Sequence, residues 1–190
     1  MRITPLSLTL PGVKESDFAH YSHYHGAGHV NRVIVLGQVL AHMIHREPKE
    51  RLLLSLWAAT YTHDLARTHD GTCYMHGQWA AERRLPGLME TVFRPYHLEE
   101  SLEAIQNAVA WHSYREEPPF THPNYGLIAL LKDADALDRC RLGPDEFDPS
   151  YLRYPQTAKM IEMAEGLYHH GHQTEDIEGM WAWALEHLNG

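Results

Sequence analysis

The chain has 190 residues, a hydrophobic fraction of 44% and a formal net charge of −9. That length suits one domain, 1-190, with a real core. The acidic balance argues against a broad nucleic-acid-binding face, but not against a small anionic ligand where a metal supplies local positive charge. No run of about 18 apolar residues occurs, so no membrane span is expected, and the opening MRITPLSLTLPG, broken by Pro5 and Pro11, makes a poor signal peptide. Cys73 and Cys140 offer neither a disulfide framework nor a Cys-rich zinc site. A reducing, cytoplasmic setting is the default expectation.

Residues 1 to 15 read as an extended arm, with a helix expected to begin near Ser16 or Asp17, both good N-caps. From His25 to His45 the apolar residues Val30, Val33, Ile34, Leu40, Ala41 and Ile44 recur close to a helical period. Pro48 opens a second helix, in which Leu52, Leu53, Leu56, Ala59 and Tyr61 lead to His63-Asp64. Residues 65 to 75, with Gly71, read as a loop. A third helix is expected from His76 to Arg84, ended by Pro86-Gly87. Leu98, Leu102, Ile105, Val109 and His112 predict a helix over 98–113. Pro118, Pro119 and Pro123 mark a loop. A helix follows over 124–140, stopped by Pro144 and Pro149, and two more are expected near 156–170 and 174–188. No strand alternation is visible. The expectation is an all-α, single-domain bundle of about six to eight helices.

The chemistry is carried by a series: His29, His63-Asp64, His76, His112 and Asp135, all on helical segments. Carboxylates within apolar runs such as LLLSLWAATYTHD and LIALLKDADALDR are rarely buried unless paired or metal-bound. Imidazole and carboxylate donors together suit Mn, Fe, Co, Ni or Zn. His63 and Asp64 would point about 100° apart on a regular helix, but a helix end lets both approach one centre, and Asp64 could put one oxygen on each of two metals. His29 follows Gly26-Ala27-Gly28, small residues that permit close helix approach. Sixteen histidines are present, so a lone one means little.

The series HVNRV at His29, HDLAR at His63, His76-Gly77, Trp111-His112 and ADALD around Asp135 resembles the HD-domain metal-dependent phosphohydrolases over roughly residues 23 to 140. The resemblance implies a helical core of that type holding a metal on His29, His63, Asp64 and Asp135. His76 and His112 fall where binuclear members add two histidines, so one or two divalent ions are expected. After His76 the chain reads Gly77-Gln78-Trp79, not Gly-Tyr-Pro, which sets cyclic-di-GMP aside as the expected substrate. The resemblance implies phosphoester hydrolysis but names no substrate; the ligand series with Arg32 and Arg67 leads us to expect a phosphomonoester or phosphodiester of a nucleotide or related small molecule. Asp64 is the central catalytic candidate.

Arg32 and Arg67 could offer bidentate donors to a phosphate, against the alternative of structural ion pairs. Lys132 and Arg139 flank Asp135 and are further candidates. His20, His23 and His25 read as a pocket rim, with His25 the best placed. Asp138 could support the ligands from outside the coordination shell. His69-Asp70 reads as surface, as do Glu99, Glu100 and Glu103. His169, His170 and His172 read as solvated. Trp57, Trp79, Trp181 and Trp183 read as core, while Trp111 and Tyr114 are weaker pocket candidates. Two other readings share these residues: a di-iron oxygenase of the wider HD group, and a metal-stabilised regulatory module without turnover. The C-terminal helices, 150-190, would pack on the motif core, and their Trp content would make a homodimer unsurprising.

Overall fold

The computed structural model describes residues 2–143, 146–171 and 176–189, and Pro144 and His172 lie outside them. The described residues form an all-α bundle without strands. Its helices are α1 (Pro5–Thr9), α2 (Ala27–Ile44), α3 (Glu50–Thr62), α4 (His76–Trp79), α5 (Leu85–Glu90), α6 (Leu102–His112), α7 (Tyr125–Leu137), α8 (Ile161–Gly171) and α9 (Ile177–Asn189). No described helix is long and apolar enough to cross a membrane.

α2 is the axis of the bundle. It is buried over almost its whole length, with Val30, Val33, Ile34, Val35, Leu36, Val39 and Leu40 fully enclosed. A helix apolar on all sides must be surrounded, and α3, α7, α8 and α9 pack around it. The C-terminal helices therefore complete the burial of α2. Where α2 carries polar groups, each has a partner. Gln38 accepts from Ser7 Oγ and donates to Leu53 O; Asn31 accepts from Val13 N. His42 accepts from Thr4 N.

Those bonds correct the expectation of an extended arm. They pin residues 3–13 to α2, and the arm contains the one-turn helix α1. No long helix starts at Ser16 or Asp17 either. Only a 3₁₀ turn forms at Glu15–Asp17, because the Asp17 carboxylate accepts from Lys14 N and Tyr61 Oη, tying the segment to α3. The first long helix waits until Ala27, after Gly26. Gly26 allows close approach, as expected, but to a loop rather than a helix: a Cβ there would lie 2.6 Å from Ser22 O.

Pro86-Gly87 does not end the third helix. The chain passes from α4 through a π-helical turn at Ala80–Arg84 into α5, where Pro86 occupies the first turn. Pro is tolerated there because its missing N–H would have little helical work to do. α7 stops at Leu137 and tightens into a 3₁₀ turn, Asp138–Leu142, that ends at Gly143 with φ 118°. Trp57 and Trp181 are core, as read; Trp57 lies edge-on to Phe93 and Tyr96. His169 is exposed, whereas His170 is half-buried and stacked against Trp183.

Candidate metal centre

Helix ends deliver most of the centre. His29 lies in the first turn of α2, His76 opens α4, and His112 closes α6. α3 ends at Thr62, and His63-Asp64 sit in the turn that follows, closed by Leu65 N to Thr62 O and Arg67 N to Asp64 O. Leaving the helix there lets two adjacent side chains reach the same point. Asp135, in the last turn of α7, brings the second carboxylate.

Four imidazoles are held alike. His63 Nδ1–H donates to Thr60 O at 2.6 Å and His112 Nδ1–H to Val109 O at 2.6 Å. His76 Nδ1–H donates to Cys73 O, and His29 Nδ1–H to Asp138 Oδ2 at 2.7 Å. These acceptors fix the proton on Nδ1. Nε2 of each ring then points inward. His29 and His63 meet Nε2 to Nε2 at 3.3 Å, and His76 and His112 at 2.8 Å.

Asp64 lies between the two pairs. Its Oδ1 is 3.0 Å from His76 Nε2 and 3.7 Å from His112 Nε2; its Oδ2 is 3.5 Å from His29 Nε2 and 3.9 Å from His63 Nε2. Asp135 Oδ1 adds contacts of 3.4 Å to His29 and 4.0 Å to His63. Each of the sets His29, His63, Asp135 and His63, Asp64, His112 places its donor atoms within 4.8 Å of one another. Asp135 faces away from the core. Its side chain is 29% exposed, toward a cleft. Asp133 is the fully buried neighbour, on another face, where it accepts from Tyr154 N and Thr157 Oγ1.

The electrostatics follow from this crowding. Burial drives the His63 ring down to about 3. Burial and Arg141 push the same way on His29, but hydrogen bonds to Asp135, Asp138 and Asp64 win and bring it up to about 9. Burial opposes ionisation of Asp64 and Asp135, yet the facing imidazoles hold both well below the usual carboxylate range. Burial likewise opposes Asp138, but Arg32, His29 and Arg141 take it to about 2.

The centre opens onto a cleft of about 590 Å³ lined by Asp64, His76, His112, Asp135 and, at its rim, Arg67, Arg139 and Arg141. Arg67 Nε donates to Asp64 Oδ1 at 3.0 Å. Arg139 shares the lining but is paired with Glu146 at 3.1 Å. Two expected phosphate contacts are placed elsewhere. Arg32 is buried in a bidentate pair with Asp138, at 2.6 and 2.9 Å, because α2 faces the 3₁₀ turn there. Lys132 is buried against the end of α6, where its ammonium donates to Trp111 O and Tyr114 O and pairs with Glu117. Trp111 and Tyr114 pack on one another and do not line the cleft. His69 and Asp70 are exposed, and Asp70 accepts from Ser22 Oγ.

Sequence reasoning missed Arg141. It lies beyond the recognised series, and only the turn after α7 brings it back to Asp138, Tyr24 O and His25. His25, expected at the rim, reaches further in: its Nδ1 lies 3.0 Å from Asp64 Oδ2. Gly77 is the other structural requirement. A Cβ there would lie 2.5 Å from Val109 O and 2.8 Å from His112 Nδ1, so only glycine lets α4 seat His76 beside His112.

No protein-family model, curated protein or solved structure matches the chain.

Proposed function

We propose that the chain is a metal-dependent phosphohydrolase of the HD-domain type, acting on a small phosphoester such as a nucleotide. One observation carries the metal reading. Two pairs of Nε2 atoms face each other at 3.3 and 2.8 Å, each on a ring whose proton is engaged at Nδ1, with Asp64 oxygens between them. Lone pairs facing across the His76–His112 pair repel unless a cation lies between them, and buried carboxylates point the same way. Toward His63 the His29 proton fills that role until a metal displaces it. The donor set, nitrogen and carboxylate oxygen without thiolate, fits a divalent transition ion.

His29, His63, Asp64 and Asp135 would hold one ion, and Asp64, His76 and His112 a second. Bound there, such ions activate water and draw charge from a phosphoryl oxygen. The remaining steps belong to the chain. Arg67, on the cleft wall, offers guanidinium donors to a phosphoester oxygen. Asp138 and the backbone carbonyls keep the imidazoles oriented, so little reorganisation is needed. The cleft volume admits a small anionic ester.

The test is metal analysis of protein purified without chelator, followed by assay against aryl phosphomonoesters and diesters. About two ions per chain and hydrolysis that a chelator abolishes would support the reading. Protein that takes up no divalent ion after reloading would overturn it. Iron together with oxygen consumption would move the chemistry to oxygenation.

A further inference from the structure

We infer that His25 is an additional ligand of this centre, bound through Nδ1; the inference rests on the metal reading above. His25 lies in the loop before α2, outside the recognised ligand series. Its ring is inverted relative to the others. Where His29, His63, His76 and His112 turn Nδ1 outward to an acceptor, His25 turns Nδ1 inward. His25, Asp64 and His29 each offer one donor atom within 4.8 Å of the others, and His25 Nδ1 is the nitrogen 3.0 Å from Asp64 Oδ2.

The Asp64 oxygen facing that nitrogen favours a cation, while the Arg141 guanidinium opposes one. Arg141 Nη2 is 3.3 Å away, and a guanidinium has donors only. An imidazole nitrogen has one lone pair, so Nδ1 turns it either to Arg141 or to a cation, and binding a cation leaves the guanidinium on Tyr24 O and Asp138 O. Toward Asp64 Oδ2, at 3.0 Å, the same nitrogen faces an oxygen. A neutral ring with its proton on Nε2 thus sets acceptor against acceptor, which a cation between them resolves. A proton on Nδ1 would resolve it differently: His25 would donate to Asp64, and Arg141 would rely on Tyr24 O and Asp138 O.

The loop holds the ring in place. His25 N–H donates to Ser22 Oγ at 2.7 Å, and Ser22 in turn donates to Asp70 across the cleft mouth. The His25 side chain is 12% exposed and lies edge-on to His29. A further imidazole in the shell would shift preference from Mn or Mg toward Fe, Co or Zn.

Proton NMR of the cobalt(II)-loaded protein separates the two arrangements. Each ligating imidazole gives one strongly shifted N–H signal, from the nitrogen that does not bind the ion. His29, His63, His76 and His112 would give theirs from Nδ1–H, and His25 from Nε2–H. Histidine carrying the heavy nitrogen isotope at Nε2 should therefore split one shifted signal only. In His25→Gln, which keeps an amide donor for Asp64, that signal should vanish and the others remain. Shifted signals of which none is split, and which all survive in His25→Gln, would overturn the assignment and leave the metal centre standing. Loaded wild type with no shifted signal would overturn the metal reading and this assignment together.

Discussion

His29 and Asp138 are joined by a 2.7 Å hydrogen bond from Nδ1–H to Oδ2, across 109 positions of sequence. The same carboxylate takes two bonds from Arg32 and one ion pair from Arg141 at 3.5 Å. One buried anion therefore orients a candidate ligand and serves as the shared counter-ion of two arginines.

Asp138→Asn should weaken metal binding about 10- to 100-fold, the usual cost of losing a partner outside the coordination shell. It should also destabilise the fold by roughly 3–5 kcal/mol, because two arginines lose a buried counter-charge. Metal titration and denaturant unfolding check the two effects separately. An unchanged affinity would mean that His29 needs no support from Asp138.

Asp64→Ala should remove metal and hydrolysis together, since both Asp64 oxygens face the imidazole pairs. His112→Ala should instead release one ion and spare the other, because His29, His63 and Asp135 remain grouped. Metal-to-protein ratios by mass spectrometry decide this. Loss of both ions from His112→Ala would show the two positions to be inseparable.

Gly77→Ala should cost about 1–3 kcal/mol, the usual cost of overpacking. The added methyl meets Val109 O, the acceptor that orients His112. The ion held by His76 and His112 should be lost before the other. Full metal occupancy in this variant would show that α4 can shift without disturbing the site.

Arg67 and Arg32 should separate cleanly. Arg67→Ala is expected to raise KM for a phosphoester about 10- to 100-fold, the scale of a hydrogen bond to a charged group. Arg32→Ala should lower stability by roughly 3–5 kcal/mol, as for a broken buried pair. Steady-state kinetics beside thermal melts make the comparison. A KM effect confined to Arg32→Ala would reverse the two roles.

The pH dependence has a definite sign. In the metal-free protein His29 titrates at about 9, against about 6.5 when unfolded. Its proton therefore stabilises the fold fully below about pH 6.5, and that contribution is lost as pH rises through about 9. A metal ion must displace that proton, so affinity should rise over the same window. Melts with and without chelator should diverge as pH increases. Parallel curves would show that His29 and the ion do not compete.

Sequence alone determined the all-α class, because a helical apolar period needs no tertiary information to be seen. It also supplied the series His29, His63-Asp64, His76, His112 and Asp135, since carboxylates within apolar runs are unusual wherever they occur. It could not determine which arginine faces the cleft. Arg32 and Arg67 have equivalent spacing from their neighbours, and only the fold encloses one against Asp138 while leaving the other, bonded to Asp64, on the cleft wall. The start of the first long helix escaped sequence reasoning for a similar reason. Asp17 is a good N-cap, but Tyr61, 44 positions away, claims its carboxylate. Pro86 misled because a π-helical turn absorbs it. His25 and Arg141 became visible only in three dimensions: their roles depend on Asp64 and Asp138, and no local spacing rule records contacts between residues so far apart in the chain.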